Sequence, residues 1–108
     1  MNDWNSWLAL GKAPGLGPRR FLRLVETYGS PKSVFDRGPR EIARILQVPV
    51  DVASGILRRV PGPEEDRECK AIADAGCRLI TLASDEYPPL LKTIHDPPPF
   101  LYARGRRL

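Results

Sequence analysis

Histidine occurs once in this chain, methionine once and cysteine twice, among 108 residues. Cys69 and Cys77 stand eight apart, with neither a CxxC spacing nor a disulfide framework around them. Both are read as reduced thiols, Cys77 in the core and Cys69 on a helix. His95, among prolines, has no partner spacing for a metal or a catalytic triad and is expected in a surface loop. Ser84-Asp85 lies near it in sequence, but nothing there builds a nucleophile elbow. No catalytic residue, metal site or cofactor is expected, and the chain is read as a non-enzyme. No apolar run approaches the roughly 20 residues of a membrane span. The opening Met1-Asn2-Asp3-Trp4 lacks the basic and apolar blocks of a signal peptide, so a cytoplasmic protein is expected.

What the chain has in quantity is proline, 12 residues, together with 9 glycines and an uneven charge. Residues 1–60 hold ten Lys and Arg against five Asp and Glu, whereas residues 61–108 hold seven against eight. The excess of +4 therefore sits in the first half, where it suits a polyanionic partner or a solvated arginine-rich surface. Proline and glycine cut that half into five short helices. Asn5 or Asp3 caps the first, which runs to about Lys12 before Pro14-Gly15 ends it. Pro18 opens the second, with Phe21, Leu24, Val25 and Tyr28 as its apolar stripe and Gly29 as its stop. Ser30 and Pro31 begin a third, with Val34 and Phe35 facing inward. Gly38-Pro39 opens a fourth, burying Ile42, Ile45 and Leu46, and Pro49 a fifth, burying Val52, Ile56 and Val60.

Pro61-Gly62-Pro63 marks a linker at 61–63, after which the texture changes. Glu64, Glu65 and Asp66 load the first turn of a sixth helix whose apolar side is Cys69, Ile72 and Ala73, closed by Gly76. Arg78–Leu82 reads as a strand, Tyr87–Leu91 as a turn with one helical turn, and Phe100–Gly105 as a second strand. Two strands do not finish a sheet, so 64–108 is expected to be the start of an incomplete α/β domain after a helical domain at 1–60.

One turn carries chemistry. Gly15-Leu16-Gly17-Pro18-Arg19-Arg20 joins two helices through Gly-x-Gly, letting backbone approach a ligand with no Cβ in the way. The helix that follows points its N-terminal amides at whatever lies there, an arrangement that suits an anion. Arg19 and Arg20 stand in the first turn against the helix-dipole preference, as they would to serve an external phosphate. Gly15, Leu16, Gly17, Arg19 and Arg20 are the candidate phosphate-binding set. The alternative is a plain helical corner whose glycines only allow close packing. Trp4 and Trp7, three apart on one helix, are either a staple over the small core or a stacking and docking surface. Tyr87 and Tyr102 are expected to pack rather than to stack on bases.

Pro14-Gly15-Leu16-Gly17, the Arg19-Arg20 pair, Tyr28-Gly29-Ser30 and Glu41-Ile42-Ala43 together resemble the tandem helix–hairpin–helix domains of DNA-repair nucleases. Gln47-Val48-Pro49-Val50-Asp51, where a second hairpin would fall, has no glycine pair and is read as packing. Asp85-Glu86-Tyr87-Pro88-Pro89-Leu90-Leu91-Lys92 with Asp96-Pro97-Pro98-Pro99-Phe100-Leu101-Tyr102-Ala103-Arg104-Gly105 resembles the signature of the DprA/Smf DNA-processing family. That resemblance implies a small SAM-like or helix–hairpin–helix-like domain before an extended Rossmann-like domain, of which this chain holds only the first elements. It also implies a non-catalytic protein of natural transformation, competence and DNA recombination. Such a protein binds single-stranded DNA, assists loading of the RecA recombinase and forms a homodimer. The family's main single-strand site lies beyond the Arg-Gly of the signature, so no residue here is expected to take its role. The fragment is then an accessory DNA contact. The alternatives are a protein-interaction or dimerisation module without DNA binding of its own, or the hairpin module of a nuclease.

Overall fold

A computed structural model describes residues 4–104. Five helices come first: α1 (Trp4–Gly11), α2 (Gly17–Tyr28), α3 (Pro31–Phe35), α4 (Pro39–Leu46) and α5 (Val50–Leu57). Then follow α6 (Pro63–Asp74), strand β1 (Cys77–Thr81), a single 3-10 turn (Leu91–Thr93) and strand β2 (Phe100–Arg104). The chain is thus mainly helical, with one small two-stranded sheet.

The hydrophobic order of α1 decides its place. Ser6, Trp7, Leu8, Ala9 and Leu10 are all buried, and a helix buried on every side belongs at the centre of a fold. Trp7 stacks on Phe21 of α2, ring centroids 5.5 Å apart. Asn5 does not cap this helix. It lies inside the first turn, where its side-chain oxygen accepts from the Ser6 N–H at 2.9 Å, and Asp3 lies outside the described residues. In α2 the stripe Phe21, Leu24 and Val25 is buried, and half-buried Tyr28 donates its hydroxyl to Glu41 of α4 at 2.5 Å. Arg37 covers the other face of that ring, 5.1 Å from its centroid. Burial first, and the Glu41 carboxylate second, push the Tyr28 phenol upward from its usual range.

Ser30 caps α3 by accepting from the Ser33 N–H, and Pro31 and Val34 are buried beneath it. In α4, Ile42, Ala43 and Leu46 face the core, while Ile45 is only half-buried. In α5 the buried pair is Ala53 and Ile56. Val60 is not part of that face: the helix ends at Leu57, the period of four lapses, and Val60 is 55% exposed.

The start of α6 is held by Glu65, whose carboxylate accepts from the Gly62 N–H at 2.9 Å, the return half of a capping box. Cys69 and Ile72 lean on the core, but Ala73 is exposed, being a helical position turned away from it. Cys77 is half-buried at the first position of β1 rather than in the core, and both thiols are unbridged. Burial, then the carboxylates of Asp66, Glu68 and Glu65, push the Cys69 thiol upward, which disfavours its thiolate. Strands β1 and β2 pair antiparallel, from Cys77 opposite Arg104 to Thr81 opposite Phe100. Arg78 grips Glu86 with two nitrogens, at 2.7 and 3.1 Å, pinning the loop that leaves β1. Tyr87 is buried there and donates to the Pro98 carbonyl at 2.6 Å. Tyr102, by contrast, is 61% exposed, its ring meeting only Phe100 edge-on among the described rings, with centroids 6.0 Å apart.

The core is continuous across 61–63: Leu79, Leu82 and Tyr87 belong to the same buried cluster as Trp7, Phe21 and Ile42. Phe100 of β2 lies over the end of α1, where a Cβ on Gly11 would stand 3.0 Å from its ring. A second tie is polar. Lys12 donates to Glu65 at 2.9 Å and to Glu68, closing α1 onto α6.

Candidate nucleic-acid interface

The turn between α1 and α2 is built from two left-handed glycines, Gly15 at φ +75° and Gly17 at φ +69°. Only glycine adopts that region freely, so both positions need the residue they have. Leu16 between them is 3% exposed: it anchors the turn in the core and offers no side chain to a ligand. No side chain caps the first turn of α2, and no acidic residue stands in it. Its amides are left to the dipole end of a twelve-residue helix.

The two predicted arginines divide their work. Arg20 turns back and donates to the Gly15 carbonyl at 2.5 Å, bracing the turn. Arg19 turns outward and meets His95, nitrogen to nitrogen at 3.3 Å. A guanidinium has only donors, so in this contact the imidazole Nε2 stands as the acceptor, with an Asp96 carboxylate oxygen 3.9 Å from the same nitrogen. His95 is therefore exposed, as expected of a loop residue, yet placed against the candidate site from 76 positions away in sequence.

These residues border an open groove of about 540 Å³. Arg19, Arg20 and Arg23 line it together with Gln47 and His95, Leu22 and Leu46 add apolar lining, and Glu26 is the one acid. Arg23 follows Arg19 by four and so shares its helix face. Gln47 is the only non-glycine residue among the described ones with positive φ, at +58°. It ends α4 in the left-handed conformation that glycine usually supplies at that position.

The tryptophans are not brought into this groove. Trp7 is 1% exposed, packed on Phe21, and is excluded as a docking surface by that burial. Trp4 is half-buried against the core cluster. Sequence reasoning missed Arg23, Gln47 and His95. Arg23 was visible as the next turn of the Arg19 face, whereas Gln47 and His95 arrive only through tertiary packing.

A third cluster has another explanation. Among the described residues Glu64, Glu65 and Glu68 lie close enough to share a cation. The Lys12 ammonium already fills that place, in reach of all three. Hydrogen bonds to Glu68 and then Glu65 raise the Lys12 ammonium above its ordinary range, and the Lys12 contact followed by the Gly62 N–H lowers Glu65 below the usual carboxylate range. No helix among the described residues is long and apolar enough to cross a membrane. Compared with protein-family models, with curated proteins and with solved structures, the chain matches none.

Proposed function

We propose that this chain is a DNA-contact module in which the Gly15–Arg20 turn and the outward face of α2 hold backbone phosphates. The observation that supports it most directly is the pairing of a double left-handed glycine turn with an uncapped, arginine-bearing helix start. A helical corner that served packing alone would favour an acid in that first turn, and there is none. The finer fold belongs to the same proposal: α1–α5 as a SAM-like or helix–hairpin–helix-like unit, and α6 with β1 and β2 as the opening elements of a Rossmann-like domain. In that setting the module belongs to a non-catalytic, cytoplasmic DNA-processing protein of the DprA/Smf type. That protein handles single-stranded DNA, assists RecA loading and acts as a homodimer.

A second reading has its own observation. Leu90, at 82% exposed, Ile94 and Tyr102 leave large apolar side chains open to solvent in the second half of the chain, which suits a protein-interaction or dimerisation module.

Fluorescence anisotropy of a labelled DNA strand against the chain and its Arg19→Glu/Arg20→Glu variant tests the proposal. Few cations are available, so weak binding with a shallow salt slope, roughly −2 to −3 on a log–log plot, is expected, and the variant loses it. Equal binding by the variant removes the turn from the interface, and no binding at low salt leaves the interaction module as the better reading.

A further inference from the structure

We infer that protonation of His95 passes Arg19 from the imidazole to a phosphate, so that the DNA contact proposed above, on which this rests, tightens as pH falls.

Two groups meet at one ring nitrogen. Arg19 Nη1 lies 3.3 Å from His95 Nε2, and Asp96 Oδ1 lies 3.9 Å from the same atom. They ask opposite things of it. A guanidinium only donates, so it needs Nε2 with a lone pair, whereas an ionised carboxylate only accepts and needs Nε2 with a proton. The neutral ring therefore holds Arg19. The imidazolium turns to Asp96 and repels the guanidinium beside it. Histidine is the side chain whose charge ordinarily changes between roughly pH 5 and pH 8, which brings the exchange within reach of physiological solution.

The charged groups around the ring give the exchange its effect. From α2 come Arg19, Arg20, Arg23 and Glu26, from α4 only the neutral Leu46 and Gln47, and from the ring's own loop Asp96. Lys92 of the 3-10 turn lies over the Tyr87 ring instead, 5.8 Å from its centroid. Arg20 is engaged by the Gly15 carbonyl, so Arg19 is the member of the pair that the imidazole controls. Proton uptake by His95 releases Arg19, gives Asp96 a partner and adds one positive charge to the groove. All three changes favour a phosphate. The backbone has no need to move. Pro97 is fully buried, and the Pro98 carbonyl accepts from the Tyr87 hydroxyl at 2.6 Å, so the loop stays fixed while the exposed His95 and Asp96 side chains turn.

The test repeats the anisotropy measurement from about pH 8 to about pH 5.5, using the full chain and a strand with a non-titrating dye and no terminal phosphate. The original chain should bind about two- to fivefold more tightly at the lower end, the scale of one exposed ion pair, with a log–log salt slope steeper by about one. His95→Ala should bind with one affinity across the range, and at the upper end more tightly than the original, because nothing there holds Arg19 back. A merely added charge would leave the two proteins alike at that end. The ring protons of the single histidine report its titration by NMR, and the midpoint should match that of the affinity. Asp96→Asn should move both midpoints to lower pH, since the protonated ring loses its partner. Both positions are exposed, so the variants keep the fold. Equal affinity of the original and His95→Ala at the upper end overturns the exchange. Binding that ignores pH, with Arg19→Glu/Arg20→Glu still abolishing it, also overturns the exchange and leaves the phosphate-gripping turn in place. Absence of binding at every pH overturns both.

Discussion

The Lys12 ammonium lies 2.9 Å from a carboxylate oxygen of Glu65, and Glu65 in turn accepts the Gly62 N–H at 2.9 Å. One carboxylate thereby fastens the end of α1 to the start of α6 and caps α6 itself. Both ionisations are shifted in the direction that favours the charged pair, Lys12 upward and Glu65 downward.

The sign of the pH dependence follows. Stability from Glu65 is present above its unfolded pKa and is lost as pH falls through its lowered folded value. Stability from Lys12 is present below its unfolded pKa and is lost only as pH rises through its raised folded value. Between the two lies a plateau that includes neutral pH. Glu65→Gln should cost about 1–2 kcal/mol at pH 7, the scale of a charged hydrogen bond lost at a half-shielded site. The gap between the thermal melts of the two proteins should narrow as pH falls below the ordinary carboxylate range and the original carboxyl takes up its proton. A constant gap across that range would show that the effect is not the charge.

Three glycines should respond differently to alanine. Gly17→Ala forces a side chain into φ +69° with open space around it, so the cost is backbone strain alone, about 1 kcal/mol. Gly55, inside α5 with nothing near its absent Cβ, should gain about 0.5–1 kcal/mol as alanine. Gly11→Ala should not show that gain, because its methyl meets the Phe100 ring at 3.0 Å. Denaturant midpoints of the three variants give the order directly.

The two tryptophans should separate in the same way. Trp7→Ala removes a fully buried ring stacked on Phe21 and should cost about 3–5 kcal/mol. Trp4→Ala, at a half-buried position, should cost clearly less. Chemical unfolding followed by circular dichroism measures both, independently of indole fluorescence.

Proline and glycine made the helices legible from sequence. Each of Pro18, Pro31, Pro39 and Pro63 stands at a helix start, and Gly29 and Gly76 follow helix ends, both with positive φ. Those residues act locally, through φ and a missing N–H, so their effect survives without knowledge of the fold. Periodicity failed where a helix ended sooner than its pattern, as at Val60, and where two positions competed for one face, as with Ala43 and Ile45. The turn of the candidate site was legible for the same local reason. The rest of the groove's lining was not. Nothing in the sequence around Gln47 or His95 points to Arg19, because their meeting depends on how α4 and the loop before β2 settle against α2. Trp7 was ambiguous in sequence because the same three-residue spacing serves a core staple and an exposed pair, and only the packing of Phe21 decides it.

The shared core has a consequence for modularity. Leu79, Leu82 and Tyr87 sit in one buried cluster with Trp7 and Phe21, and Phe100 roofs the end of α1. The helices that carry the basic groove are therefore not a detachable cassette. Cutting the chain at 61–63 would uncover apolar surface around α1 and strip Lys12 of its carboxylates, and His95 would leave with the severed half. Any transplant of this surface onto another protein has to carry the strands with it.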